Sequence, residues 1–268
     1  MKKLKSVIIT LLFLYSGTLI AQSEQMTVSL TNPGSPGILQ VSLVTGSIHV
    51  IGTKTNDVKI KAEVKGEKKE SSTRSDGLRR ITSNNAFELS AEEKNNTVSV
   101  RTGNPNQHII LTIMVPQNFS LKLSTVNGGN IIAENVNGDS EISNVNGGIK
   151  LQNISGSAVA NTINGSLTAN FLTVNKEAPM AFTSLNGTVD VTFPANTKAN
   201  LKLQSQRGEL LSDFDIVVSK GEPEVLRYTD GGMKKIKRSG WTTGSINGGG
   251  PEIMLKTMNG DVIIRKSK

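Results

Sequence analysis

A short phrase ending in Asn-Gly recurs along this chain and limits what it can fold into. The phrase is an aliphatic residue, Asn, Gly, any residue and then alternating apolar and polar positions, as in residues 145–151. Its first five glycines follow at steps of ten, nine, nine and nine residues: Gly128, Gly138, Gly147, Gly156 and Gly165. Regular self-similarity of this kind usually marks a repeat architecture. Two units predict a coil of 18 or 19 residues, and the wider steps to Gly187 and Gly208 predict longer coils.

The same dipeptide is also typical of two-residue hairpin turns, so two arrangements compete. In a hairpin, the residues before Asn and after Gly would both face the core. The residue after Gly is instead small or polar, as in Gly148, Ser166 and Thr188. The period-2 pattern therefore runs through the glycine and favours stacked coils, with Gly on the buried side of a bend. The interior ladders predicted on this basis contain Val136, Val145, Ile154 and Ile163.

We therefore predict an all-β fold: a right-handed β-solenoid, or single-stranded β-helix-like stack of short strands, preceded by an N-terminal signal helix. After that helix, no segment keeps a 3.6-residue apolar period. Aromatic residues make up 4% of the chain, so Val, Ile, Leu and Ala must fill a thin core. The residues predicted to form the repeat turns are Gly46, Asn127, Gly128, Asn137, Gly138, Asn146, Gly147, Gly156, Asn164, Gly165, Asn186, Gly187, Asn247, Gly248, Asn259 and Gly260.

Residues 1–21 have the composition of a secretory signal peptide. A lysine-rich start precedes the apolar run 6–20, and cleavage is predicted between Ala21 and Gln22. An uncleaved membrane anchor is the alternative, although the apolar run is shorter than the roughly 20 residues of a spanning helix. We expect an exported protein, located in the periplasm or on the cell surface or secreted, with no integral membrane segment after signal removal.

The mature part is predicted to be one repeat domain in two sections. Residues 22–120 form an N-terminal β-rich section with an exposed, charged loop at 66–78. Residues 121–268 form the Asn-Gly solenoid, interrupted by an irregular excursion at 213–244 where the pattern degrades. The basic tail after Ile264 is expected to cap the last coil, whose open end needs polar cover.

Composition argues against several classes of function. Without cysteine the chain has no disulfide, thiol or iron–sulfur chemistry. The formal charge of +8 includes three lysines of the predicted signal segment, and the other basic residues are scattered apart from the run 234–238. Nucleic-acid binding needs a denser basic face with interleaved aromatics. His49 and His108 have no Ser or Cys elbow motif nearby. We predict no catalytic residue, no cofactor and no metal.

Two acidic patterns are the candidates that could contradict that prediction. Asp213 and Asp215 alternate and would share a strand face, as acid–base or Ca²⁺-binding pairs do, but no third ligand is spaced beside them. Asp139 and Asp261 follow Asn-Gly as in calcium-binding nonapeptide repeats, yet the full repeat core is missing. A solvated strand face is the preferred interpretation of the first pair.

The repeat resembles the bacterial "putative adhesin" family of exported β-strand-repeat domains, to which no function is assigned. The resemblance rests on the phrases at 44–48, 126–128, 136–139 and 145–149, together with the Pro-led Leu-Lys-Leu strands, and it spans about residues 39–264. It implies a β-solenoid-like fold and an envelope or surface location. It supplies no catalytic motif, and the stretch 213–244 departs from the pattern.

The preferred functional hypothesis is an exported, non-enzymatic, adhesin-like scaffold that contacts a glycan, an envelope or surface protein, or its own kind. Its long ladders suit weak multivalent binding. A carbohydrate-active lyase or hydrolase is the first alternative, and it requires acidic and basic residues clustered on one face. An accessory or sensor protein of an envelope-stress system is the second. The oligomeric state is left open.

Overall fold

The computed structural model describes residues 23–65, 88–219, 225–230, 233–238 and 240–268. The predicted signal segment 1–21, the cleavage position at Ala21 and Gln22, and the loop 66–78 lie outside these residues. Within them the chain is all-β without helix, so the all-β prediction is confirmed. Accordingly, no helix in the described part is long and apolar enough to cross a membrane.

The strands follow one another along the chain with short connections. They are β1 (Ser23–Ser29), β2 (Gly37–Thr53), β3 (Asp57–Val64), β4 (Leu89–Lys94), β5 (Thr97–Thr102), β6 (Ile109–Pro116), β7 (Phe119–Asn127), β8 (Ile131–Glu134), β9 (Ser140–Asn146), β10 (Ile149–Gly156), β11 (Ala158–Asn164), β12 (Leu167–Val174), β13 (Met180–Asn186), β14 (Val189–Phe193), β15 (Ala199–Ser205), β16 (Leu210–Ser212), β17 (Val217–Val218), β18 (Val225–Asp230), β19 (Met233–Arg238), β20 (Thr242–Ile246), β21 (Glu252–Thr257) and β22 (Val262–Lys266).

Twenty of these strands form one large sheet system that is not closed into a barrel, while β18 and β19, as far as the described residues go, pair only with each other. The system consists of two layers, here called sheet A and sheet B. Strands β8, β10, β12 and β14 are parallel neighbours in sheet A, and β7, β9, β11 and β13 are parallel neighbours in sheet B. Ile149 pairs with Ile131 on one side and with Leu167 on the other, a register of 18 residues.

Two consecutive strands, one in each sheet, form one level of the stack, called a rung. The Asn-Gly dipeptides that contain Gly128, Gly147, Gly165, Gly187 and Gly260 join the two strands of a rung instead of closing antiparallel hairpins, because the strands on either side of each of them pair in parallel with other rungs. The pairing therefore follows the stacked arrangement that the sequence favoured over a meander.

Both ends of the stack depart from chain order. Strand β2 spans both sheets and lies between β6 and β8 in sheet A and between β5 and β7 in sheet B. At the other end, β21 lies between β13 and β15, and β22 lies between β14 and β16. The expectation that the basic C-terminal tail caps the stack is therefore wrong, because that tail belongs to an internal rung.

The same insertion corrects the predicted long coil between Gly187 and Gly208. Gly260 lies between them in the stack. A Cβ atom added to Gly208 would overlap the Gly260 carbonyl, and one added to Gly260 would overlap the Gly187 carbonyl. The pattern loss predicted for residues 213–244 coincides with an interruption of parallel pairing, which resumes in β21 and β22. Beyond β16, the short strand β17 and strand β20 are antiparallel neighbours in sheet B. There, β20 also pairs antiparallel with β15.

The core is a thin aliphatic layer between the two sheets, thickened at one place by aromatic rings. Phe171 and Phe193 stack with centroids 5.3 Å apart, and Phe182 meets both rings edge-on. All three side chains are fully buried. Inward and outward positions alternate along the strands, as period-2 patterning requires.

The predicted interior ladder is half correct. Val136 and Ile154 are buried, but Val145 is half-buried and Ile163 is 43% exposed. Asn135 and Asn153 precede the two buried residues and have positive φ angles of 58° and 52°. This left-handed residue shifts the alternation by one position and turns the next side chain inward. Val145 and Ile163 lack such a residue before them and therefore face outward.

Candidate functional site: two polar corners and the outer face of sheet B

The first corner of the stack is where each sheet B strand passes into the sheet A strand of the same rung. Asn side chains form an amide ladder there, each Nδ2 donating to the Oδ1 of the neighbouring rung. The bonds run from Asn146 to Asn127 (3.1 Å), Asn164 to Asn146 (2.8 Å), Asn186 to Asn164 (2.7 Å) and Asn259 to Asn186 (2.6 Å). Arg207 ends the ladder, with Nη1 3.5 Å from the Oδ1 of Asn259.

A second polar column lies inside the first corner, two residues before each ladder position. Each side chain donates to a backbone carbonyl at the corner of the adjacent rung; for example, the Thr162 hydroxyl lies 2.8 Å from the Gly147 oxygen. Corner carbonyls inside the stack thereby gain the partner that a buried acceptor requires. The members are Thr125, Asn144, Thr162, Ser184, Thr257 and Ser205.

The glycines of this corner form a third column, because adjacent rungs approach too closely for a side chain. A Cβ on Gly147, Gly165 or Gly187 would overlap the glycine carbonyl of the preceding rung. Gly46 takes the same position in β2, where its Cβ would overlap the Ile109 carbonyl. Gly128 differs, since its φ is 73° and its Cβ would meet only the His108 ring at 3.5 Å.

The remaining predicted turn residues lie elsewhere. Asn137, Gly138 and Gly156 belong to the second corner, where a sheet A strand passes to the next sheet B strand. Asn247 and Gly248 lie in a turn between β20 and β21, with positive φ angles of 51° and 88°. There the Asn247 Nδ2 donates to the carbonyls of Ala195 (3.0 Å) and Thr197 (2.6 Å).

The second corner carries an open groove of about 650 Å³, called the corner groove. It crosses four successive connections, and its walls are mostly amide and hydroxyl side chains with one carboxylate. Asp139 accepts two hydrogen bonds at Oδ1, from the Ser157 backbone N–H (2.9 Å) and hydroxyl (2.7 Å). The lining residues are Pro36, Asn118, Ser120, Asn137, Gly138, Asp139, Ser155, Gly156, Thr173, Val174 and Asn175.

The four acidic candidates from the sequence contact other groups of the chain: three accept hydrogen bonds from backbone N–H groups, and the fourth lies beside a lysine. Asp261 accepts the Glu209 N–H at 2.9 Å, much as Asp139 accepts that of Ser157. Asp213 accepts the Lys266 N–H at 2.6 Å, and Asp215 lies 3.8 Å from the Lys266 ammonium. Both lie in the connection between β16 and β17, so the expectation of a shared strand face is wrong.

The two histidines have different surroundings. On sheet A, His49 lies 3.5 Å from the Glu134 carboxylate. His108 precedes β6, where burial and the positive charge of Lys65 lower the pKa of its imidazole. Across the described ranges, no three His, Asp or Glu side chains converge in a way that could hold a metal ion.

An ion pair with two contacts joins neighbouring strands on the outer face of sheet A. The Arg265 guanidinium makes a two-point contact with Asp190, with Nε–Oδ1 and Nη2–Oδ2 distances of 2.9 Å each. This hydrogen bonding, followed by the charge of Asp190, raises the pKa of Arg265. The pair joins β14 to the inserted strand β22 and so ties the C-terminal rung in place.

The outer face of sheet B is shallowly concave near its N-terminal half. A depression of about 420 Å³ there is lined by polar and aliphatic side chains together with Arg101, Lys122 and Glu141. At the opposite end, Lys202 and Lys256 lie over the Trp241 ring, 5.0 Å and 5.7 Å from its centroid. Between them, the face consists of neutral side chains.

Sequence reasoning missed the inner polar column and the end of the amide ladder at Arg207. The column had a readable signal, because Thr, Asn or Ser stands two residues before each ladder Asn. Arg207-Gly208 departs from the Asn-Gly phrase, and nothing in the sequence shows that it follows the rung of Asn259 in space.

Neither the family models nor the curated proteins compared with this sequence include a match. Solved structures do. A "putative cell adhesion protein" from Clostridium sporogenes ATCC 15579 is 12% identical with a TM-score of 0.52, over 92% of this chain and 99% of that one. A "putative adhesin" from Bacteroides fragilis NCTC 9343 is 10% identical with a TM-score of 0.27, over 92% and 97%. At such identity the first likeness concerns the fold alone.

Proposed function

We propose that this chain is an exported, non-enzymatic binding scaffold of the adhesin type, which contacts a glycan or a protein of the cell envelope through its corner groove. The observation that carries the proposal is the groove itself. It repeats amide and hydroxyl groups on successive rungs, so one surface offers many equivalent hydrogen-bonding positions. Several weak contacts of this kind add up when a partner is extended or repetitive.

The chemistry of the groove suits neutral, hydroxyl-rich ligands. Asn118, Asn137 and Asn175 present exposed side-chain amides that can both donate and accept. Among the described residues that line the groove, Asp139 is the one acidic residue and none is Lys or Arg. The fold likeness to the Clostridium protein supports the adhesin type only at the level of architecture.

The proposal includes the finer architecture and the location. We expect the stack to be a right-handed β-solenoid, since parallel strands of one sheet are nearly always joined by right-handed crossovers. Residues 1–21 act as the export signal, and the mature protein resides in the periplasm or at the cell surface. Export is tested by cell fractionation, with external protease added to intact cells to separate the two locations.

The binding test uses the exported protein on immobilised neutral glycans and on isolated cell envelopes. Combined substitution Asn118→Ala and Asn137→Ala should reduce retention at least tenfold, because it removes two amides from the groove. Asn170→Ala, on β12 in sheet A, is the matched control and should bind like the parent protein. Retention that is unchanged by the double substitution, or that is absent for the parent protein on every surface, refutes the proposal.

A further inference from the structure

Seven Asn-Gly dipeptides occur in the chain, and their surroundings in the fold differ. Asparagine deamidates fastest before glycine, because glycine has no side chain to hinder attack by its backbone nitrogen on the asparagine side chain. The reaction needs a glycine N–H that is free and an asparagine amide that can turn toward it. The dipeptides begin at Asn127, Asn137, Asn146, Asn164, Asn186, Asn247 and Asn259.

The amide ladder of the first corner engages the reacting groups in hydrogen bonds. Asn164 uses both ends of its side-chain amide, donating to Asn146 at 2.8 Å and accepting from Asn186 at 2.7 Å. The Gly165 N–H, which would be the attacking group, donates to the Asn186 carbonyl at 3.0 Å. Asn186 and Gly187 are bonded in the same way. Ring closure at these two dipeptides must therefore break several hydrogen bonds first.

The second corner leaves the same two groups free. Asn137 and Gly138 lie in the connection between β8 and β9, and the Asn137 side chain is exposed where it lines the corner groove. Among the described residues, neither the Asn137 side-chain amide nor the Gly138 N–H has a hydrogen-bond partner. The Asn137 N–H donates to the Gln117 carbonyl at 2.7 Å, so the chain is anchored just before the reacting groups. The fold therefore protects Asn164 and Asn186 but not Asn137.

The other dipeptides lie between these extremes. Asn247 is outside the ladder, but its Nδ2 donates to two carbonyls. Asn146 and Asn259 are bonded at both ends of the side-chain amide. Asn127 begins the ladder and, as far as the described chain extends, its side chain has one bond, accepted from Asn146. The expected order of reactivity is Asn137 first, Asn127 second and the rest last.

We propose that Asn137 is a site of spontaneous covalent modification, which converts a neutral amide of the corner groove into a carboxylate. The Gly138 nitrogen gives its proton to water and attacks the side-chain carbonyl carbon of Asn137. The bond from that carbon to the side-chain nitrogen breaks, and ammonia leaves with a proton taken from the solvent. Water then opens the resulting succinimide at either carbonyl and yields aspartate or isoaspartate. The net reaction consumes one water and releases one ammonia, with no oxidant or reductant.

The modification changes the charge of the corner groove. An aspartate or isoaspartate at position 137 is ionised at neutral pH. It adds a second carboxylate to a lining in which, among the described residues, Asp139 is the one acidic side chain. Retention of the modified protein on neutral glycans should therefore fall, and this consequence alone rests on the proposed function.

The experiment incubates the folded protein at mildly alkaline pH and maps its peptides by mass spectrometry over several weeks. Each converted dipeptide gains the mass difference between an amide and a carboxylic acid. Asn137 should convert at least about tenfold faster than Asn164 or Asn186, because every hydrogen bond that must break first raises their barrier. The variant Asn137→Gln, whose longer side chain closes a ring far less readily, should lack the early acidic product.

The matched control is the same protein unfolded in guanidinium chloride. All seven dipeptides follow an apolar residue and precede glycine's nitrogen, so they should convert at similar rates once the fold is lost. Conversion of Asn164 or Asn186 as fast as Asn137 in the folded protein overturns the proposal. So does a preference for Asn137 that persists in the unfolded chain, because it would not come from the fold. Unchanged glycan retention after conversion of Asn137 counts against the proposed function and not against the modification site.

Discussion

Adjacent glycines at the first corner give a sharp test of the rung spacing. A methyl group on Gly147 would overlap the Gly129 carbonyl oxygen and lie 2.8 Å from the Asn144 amide nitrogen. A methyl group on Gly148 would lie 3.1 Å from the Ser166 carbonyl oxygen and 3.6 Å from the Asn130 side chain. Neither glycine has a positive φ angle, so the two positions differ in the room available for a methyl group and not in backbone strain.

The stability cost of each substitution depends on whether the atoms that the new methyl group meets can move. The Gly129 backbone is fixed between rungs, so Gly147→Ala must separate the strands, and overpacking of this kind costs about 3 kcal/mol. Gly148→Ala needs a shift of a few tenths of an ångström, offset by the gain of about 0.4–1 kcal/mol that Gly→Ala gives through the unfolded chain. The expected difference is about 3 kcal/mol, or about 6–12 °C in Tm for a chain of this size.

The assay is urea unfolding of both variants and the parent, followed by far-ultraviolet circular dichroism. The free energy of unfolding of Gly148→Ala should lie within about 1 kcal/mol of the parent value, and that of Gly147→Ala should be much lower. Equal midpoints for the two variants would show that the rungs do not approach as closely as the corner glycines require, and would refute the reasoning.

Three further outcomes follow from the polar columns and the histidine. Thr162→Val should cost about 1–2 kcal/mol in urea unfolding, because a buried carbonyl loses its donor, while Thr168→Val on the exposed face should cost nothing measurable. Asn164→Ala removes two ladder bonds and should cost about 1 kcal/mol by the same method. Burial and Lys65 lower the pKa of His108, so the unfolded chain binds its proton more readily than the folded chain. Stability should therefore decline as the pH falls below about 6.5, and His108→Gln should remove that part of the decline in a pH series of thermal unfolding.

Much of the stack could be predicted from the sequence, because the spacing of the corner glycines is itself the rung length. The 18-residue register of Ile131, Ile149 and Leu167 repeats the sum of two nine-residue steps. The small residue after each Gly correctly argued against hairpins. What the spacing could not reveal was the direction of the side chain before each Asn, which depends on a left-handed residue such as Asn135 at one corner only.

The order of the rungs could not be predicted from the sequence, for a different reason. Every rung carries nearly the same corner phrase, so the phrase at Asn259 fits beside Asn186 as well as it fits at the end of the stack. The choice is made by long-range contacts such as Arg265 with Asp190. No local pattern records those contacts, and the position of the C-terminal rung therefore came only from the structure.

Engineered cysteine pairs test directly whether the C-terminal rung is inserted inside the stack with the amide ladder in register, because the chain has no cysteine of its own. Asn186 and Asn259 are bridge partners on adjacent rungs, within the Cα separation that a disulfide tolerates. Asn186 and Arg207 are two rungs apart, about 9.6 Å, which is too far. Mild oxidation should therefore close an intramolecular disulfide in the Asn186→Cys, Asn259→Cys protein and leave the Asn186→Cys, Arg207→Cys protein reduced. The opposite result would contradict the inserted rung and the ladder built on it.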